Sequence, residues 1–146
     1  MKPLQPGDAL LIVDVQNDFV ADGALAVPGG QEVIPPLRGY LALFAEHGLP
    51  VFATRDWHPP DHCSFHTQGG PWPPHCVAHT PGAQFPEDLR LPPSAIVISK
   101  GTDPTREAYS GFQGTPLHDR LRTASIVRLF IGGLASDYCV LETVRD

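Results

Sequence analysis

Ala9-Leu10-Leu11-Ile12-Val13-Asp14 constrains the fold more than any other segment of the chain. Five apolar residues follow one another without a polar break, and a carboxylate ends the run. A strand with one wet face alternates apolar and polar residues, whereas a strand covered on both faces does not. The run therefore predicts a central strand of a parallel sheet with helices on both sides. Residues 51–54, 95–99 and 126–131 read as three further strands, 95–99 as another buried one.

The segments between them read as crossovers. Val33, Ile34, Leu37, Leu41 and Phe44 fall on one helical face, with Pro35 and Pro36 in the first turn, where a missing N–H costs least. Gly48 and Pro50 stop that helix. Thr115-Pro116 opens a second helix that turns Leu117 and Leu121 inward, and a third begins near residue 136. Strands alternating with helices give an α/β fold, three layers with a mostly parallel central sheet. Many of the 17 prolines and 14 glycines fall in residues 59–93, which read as one long stiffened loop. A length of 146 residues and a hydrophobic content of 42% suit one domain, residues 1–146.

Charge and composition narrow the function. A net charge of −6, with ten scattered Lys and Arg residues, argues against nucleic-acid binding. No stretch has the length of a membrane span and no cleavage signature follows the N-terminus, so the expected location is the cytoplasm. Three cysteines in such a chain suggest reduced thiols.

Asp14, Lys100 and Cys139 each lie at or just past the carboxyl end of a different expected strand. In a parallel sheet those ends share one edge, where open α/β proteins place ligands. Cys139 is the candidate nucleophile. The first turn of a helix would favour its thiolate, Lys100 would add a positive charge, and Asp14 could accept the thiol proton. The alternative is a small buried cysteine, a turn-forming aspartate and a surface lysine.

A second group is Thr54-Arg55-Asp56-Trp57-His58, followed by His62 and His75. On an extended chain Asp56 and His58 face the same way and can meet one ion. A carboxylate with two or three imidazoles suits Zn²⁺, Fe²⁺ or Mn²⁺. The alternatives are solvated histidines, or a structural zinc knuckle built from Cys63-x-x-His66 and Cys76-x-x-His79.

Laid out in order, these segments resemble the nicotinamidase/pyrazinamidase branch of the isochorismatase-like cysteine hydrolases. The motifs are Ile12-Val13-Asp14-Val15-Gln16-Asn17-Asp18-Phe19; Asp56-Trp57-His58; Trp72-Pro73-Pro74-His75-Cys76-Val77; Thr80-Pro81-Gly82-Ala83-Gln84-Phe85; Ser99-Lys100-Gly101; Tyr109-Ser110-Gly111-Phe112; and Gly132-Gly133-Leu134-Ala135-Ser136-Asp137-Tyr138-Cys139-Val140. They run through nearly the whole chain. The resemblance implies the isochorismatase-like hydrolase fold and a catalytic triad of Asp14, Lys100 and Cys139. It makes Asp56, His58 and His75 ligands of one divalent ion, with His62 a fourth. Zn²⁺ is the first expectation, with Fe²⁺ or Mn²⁺ as alternatives. Phe19 and Trp72 would enclose a flat ring, with Tyr109 near it. The Leu134–Ala135 peptide would be cis and would aim the N–H groups of Ala135 and Cys139 at an oxyanion.

The implied reaction hydrolyses nicotinamide, and pyrazinamide with it, to the acid and ammonia through a cysteine thioester. A pyridine nitrogen held by the ion would position the ring. The partner is then a small molecule, with no nucleic acid or membrane, and a homo-oligomer is left open. A different small amide, or an inactive metal-binding fragment, are the competing readings. Two features depart from the family. His79 stands where relatives usually carry a small or amide residue. Asp146 falls about two turns into the last helix, so the domain is expected to be incomplete at its C-terminus, with the last strand and helix elements missing and one sheet edge uncovered.

Overall fold

A computed structural model describes residues 3–146; Met1 and Lys2 of the expected domain lie outside the described residues. Four strands, β1 (Asp8–Val13), β2 (Val51–Asp56), β3 (Ile96–Lys100) and β4 (Arg128–Gly133), form one sheet in the order β3-β2-β1-β4. Every pairing is parallel. The central place of β1 explains its unbroken apolar sequence, since all six of its residues are buried.

Helix α1 (Ile34–Glu46) covers one face of the sheet. Its Ile34, Leu37, Leu41 and Phe44 pack with Leu10 and Ile12 of β1 and with Ala53 of β2. The opposite residues of β1, Ala9, Leu11 and Val13, pack under α2 (Leu117–Thr123) and α3 (Cys139–Arg145) through Leu117 and Cys139. The result is three layers with a parallel sheet in the middle, as the alternating pattern requires.

Two expectations need correction. The third strand is not buried like β1. It is the end strand beside β2, with Val97 41% exposed and only Ile98 and Lys100 covered. The fourth strand starts at Arg128 rather than 126, because Val127 N–H bonds to the Gly7 carbonyl at 2.8 Å and leaves the Val127 side chain 81% exposed. Arg128 closes that end of the sheet, its Nε donating to Asp8 Oδ1 at 2.7 Å.

The sheet aims its carboxyl ends at one edge. β1 pairs with β2 up to Val13↔Thr54, and Asp14 then turns with φ 48°, a left-handed conformation that aspartate tolerates better than most residues. Beyond that rung the side chain of Gln16 takes over from the backbone. Its Nε2 donates to the carbonyls of Asp56 at 2.8 Å and Ala83 at 2.9 Å, and its Oε1 accepts from Asp56 N–H at 2.8 Å. Among the described residues, no helix is long and apolar enough to cross a membrane.

Candidate active site

Lys100 is the hub of the site. It ends β3 with a side chain that is completely buried, a placement an ammonium tolerates only among acceptors. Its Nζ lies 2.5 Å from Asp56 Oδ1, 2.9 Å from Asp14 Oδ2, 3.0 Å from the Ala108 carbonyl and 3.5 Å from Cys139 Sγ. Burial alone would strip Lys100 of its proton, but Asp14 and Asp56 outweigh it and hold the ammonium well above its usual range.

Asp14 is held from one side and open on the other. Thr54 Oγ1 donates to its Oδ1 at 2.7 Å. Its Oδ2 has the charge of Lys100 beside it but no directed hydrogen bond, so a lone pair remains for another donor. Burial raises the proton affinity of Asp14 above the ordinary carboxylate range despite Lys100. Both properties suit a base that takes a proton briefly.

Cys139 opens α3 as a buried residue, 6% exposed. The expected preference for thiolate at the start of that helix does not prevail. Burial, followed by the negative charge of Asp14, pushes the thiol well above its usual range. Cys139 therefore rests as a thiol and needs a base, and Asp14 is positioned to be one: oxygen and sulfur atoms of Asp14, Asp56 and Cys139 all lie within 4.8 Å of one another. The Leu134–Ala135 peptide is cis, and neither Ala135 nor Cys139 N–H has a hydrogen-bond partner among the described residues.

Beside these three residues, Asp56, His58 and His75 offer atoms within 4.8 Å of one another. Whether they fit an ion turns on which ring nitrogen is free. Nδ1 of His58 meets the Gly101 carbonyl at 2.8 Å, and Nδ1 of His75 meets the Pro73 carbonyl at 2.8 Å. A carbonyl can only accept, so each Nδ1 carries the hydrogen and each Nε2 keeps its lone pair. Burial would lower the proton affinity of His58, yet Asp56, with Oδ2 3.6 Å from its Nε2, raises it overall. The spot attracts positive charge. Two imidazole nitrogens and an anionic oxygen suit a divalent ion of the zinc type.

His62 is placed differently. Its ring stacks on His58 with centroids 4.0 Å apart, and its Nε2 meets the Arg106 carbonyl at 3.1 Å while Nδ1 accepts from Ser64. The tautomer is the reverse of that in His58 and His75, and His62 is not in the set that Asp56, His58 and His75 form. The structure groups His62 instead with His58 and Glu107. The knuckle alternative is not assembled among the described residues. His66 bonds to the Pro71 carbonyl, His79 lies edge-on to Trp57, and Cys76 is fully buried.

A cavity of about 230 Å³ joins the two groups. Phe19, Trp72, His75, Tyr109, Ala135 and Cys139 are in its walls. Trp72 Nε1 donates to Tyr109 Oη at 3.2 Å, which fixes both rings. Sequence reasoning missed Tyr138, packed edge-on to Trp72, and the carboxylates Glu107 and Asp137 that also line the cavity. The one available signal was proximity along the chain to Tyr109 and Cys139. It also missed Thr54 and Gln16 as supports, because both act across a separation of 40 residues.

Comparison with known proteins agrees with the architecture. The "Isochorismatase domain" family matches residues 8–146. The nicotinamidase of Escherichia coli (strain K12) is 40% identical over 162 residues, which cover 97% of this chain and 76% of that enzyme. The crystal structure of a pyrazinamidase of Pyrococcus horikoshii in complex with zinc superposes with a TM-score of 0.93 at 50% identity, covering 97% of this chain and 78% of that one. An L. infantum protein solved in complex with nicotinate gives 0.83 at 39% identity, covering 94% and 72%. Sequence, topology and relatives lead to one assignment: this chain belongs to the isochorismatase family.

Proposed function

We propose that this chain is an amidohydrolase that converts nicotinamide to nicotinic acid and ammonia, and pyrazinamide likewise, through a thioester on Cys139. The observation that carries the reading is the placement of Cys139 Sγ 3.5 Å from Lys100 Nζ, in the wall of a flat-sided aromatic pocket that also holds Asp56 and His75. Relatives named nicotinamidase and pyrazinamidase, one of the latter in complex with zinc, support it.

The residues divide the work as follows. Phe19, Trp72 and Tyr109 hold a planar heteroaromatic ring with its carboxamide toward Cys139. Asp14 takes the Cys139 proton at Oδ2, and the sulfur forms a bond to the carboxamide carbon. Lys100 keeps its charge throughout and balances the carboxylates around it. The N–H groups of Ala135 and Cys139 face the oxygen that becomes negative. Asp14 then returns the proton to the departing nitrogen, the C–N bond breaks, and ammonia leaves. Water hydrolyses the thioester with Asp14 as base again, restoring the thiol and releasing the acid. A divalent ion at Asp56, His58 and His75, zinc first with iron or manganese as alternatives, would supply a cation able to bind a ring nitrogen.

Ammonia release measured with nicotinamide, pyrazinamide and a carbamoylated amine tests the reading. The first two turn over, and extraction of the ion with a chelator lowers the rate by about a hundredfold, in the range reported for loss of a positioning element. Preference for the carbamoylated amine would assign the chain to a different amidase of the family. Unchanged activity after complete extraction would remove the ion from the scheme.

A further inference from the structure

Glu107 is a carboxylate in the pocket that none of these steps uses. It is half-buried, lines the cavity that Cys139 lines, and has an oxygen within 4.8 Å of ring nitrogens of His58 and His62. Its hydrogen bond runs only to the N–H of the next residue, Ala108, at 3.0 Å. Among the described residues no lysine or arginine pairs with it, and none lines the cavity. Lys100, the buried ammonium of the same site, is already engaged by Asp14 and Asp56. Asp137 adds a second unpaired carboxylate, but an exposed one that salt screens.

The reaction changes the charge of what the pocket holds. The substrate is an uncharged carboxamide. Hydrolysis breaks its C–N bond and makes a C–O bond from water. At neutral pH the product acid is a carboxylate, because its proton has gone to solvent or to ammonia. A fixed negative charge on the wall acts on the neutral amide only through its dipole, but on the anion through the full Coulomb repulsion. Half-burial of Glu107 keeps much of that repulsion from being screened.

We propose that Glu107 is a specificity-determining residue that weakens binding of the product acid while leaving the substrate amide unaffected, so that product leaves the pocket readily. The proposal rests on the nicotinamidase reading above. It is tested by titrating nicotinamide and nicotinate calorimetrically into the Cys139→Ala protein equilibrated with zinc, with and without Glu107→Gln or Glu107→Asp. Glu107→Gln should tighten nicotinate about tenfold, as expected for removing one partly screened charge. Nicotinamide affinity should stay within about twofold. Glu107→Asp, which keeps the charge, should leave nicotinate within about threefold of the parent. Nicotinate affinity unchanged by Glu107→Gln, both ligands tightening together, or Glu107→Asp behaving like Glu107→Gln would each overturn the proposal alone. Failure of nicotinamide to bind the parent protein would instead overturn the nicotinamidase reading, and this proposal with it.

Discussion

Cys139→Ala is expected to lower ammonia release from nicotinamide by about a thousandfold or more, with the fold intact. The substitution removes one sulfur atom from a residue that is 6% exposed, and alanine suits the first turn of α3. Asp14, Lys100, the aromatic walls and the two imidazoles stay in place, so nicotinamide should still bind. The loss then falls on the chemical step. Serine should not rescue the rate. The base is an aspartate whose proton affinity is raised by burial and by the charge of Asp56, against the pull of Lys100, and it must deprotonate an alcohol far less acidic than a thiol. Steady-state kinetics with circular dichroism on both variants checks this. A Cys139→Ala protein that still turned over would remove the nucleophile assignment outright.

Lys100→Met is expected to cost about 3–5 kcal/mol of stability, the range found when one partner of a buried ion pair is removed. Methionine fills similar space, so the loss is electrostatic rather than a cavity. Two carboxylates, Asp14 with its side chain fully buried and Asp56 with 7% exposure, would face each other without the ammonium between them. For a chain of this length the melting temperature should fall on the order of 10 °C, measured with a chelator present so that no ion takes the place of the ammonium. Adding Asp14→Asn to Lys100→Met should recover part of the fall, a coupling that a double-mutant cycle reads directly. A melting temperature unmoved by Lys100→Met would mean that the cluster does not hold the sheet edge together.

Much of this arrangement was legible in the sequence because a parallel sheet converts strand ends into neighbours. Asp14, Lys100 and Cys139 each closed or followed an apolar run, and no contact had to be guessed to place them on one edge. The limits are equally physical. Residues 97 and 127 read as strand interior, since hydrophobicity does not say whether a neighbour covers the residue; both are exposed valines. Asp56 was read as an ion ligand only, yet it is also the shortest partner of Lys100, a contact made across 44 residues. His62 could not be told from His58 by residue type. What separates them is which nitrogen meets a backbone carbonyl, and the carbonyls of Gly101 and Arg106 belong to a loop with no periodicity to read. The resemblance to a known family named residues that the structure gathers around one cavity, but nothing in it foretold the charge that Glu107 brings there.

Gln16 has a mechanical consequence. Because its amide group grips both the N–H and the carbonyl of Asp56, that peptide is clamped where the strands of the ladder part. The carboxylate of Asp56 should therefore stay in register whether or not an ion is present. In amide hydrogen exchange, Asp56 should be as slow as the middle of β2 even in metal-free protein. Loading and unloading the ion would then leave the anchored end of β2 stationary, rather than refold the sheet edge.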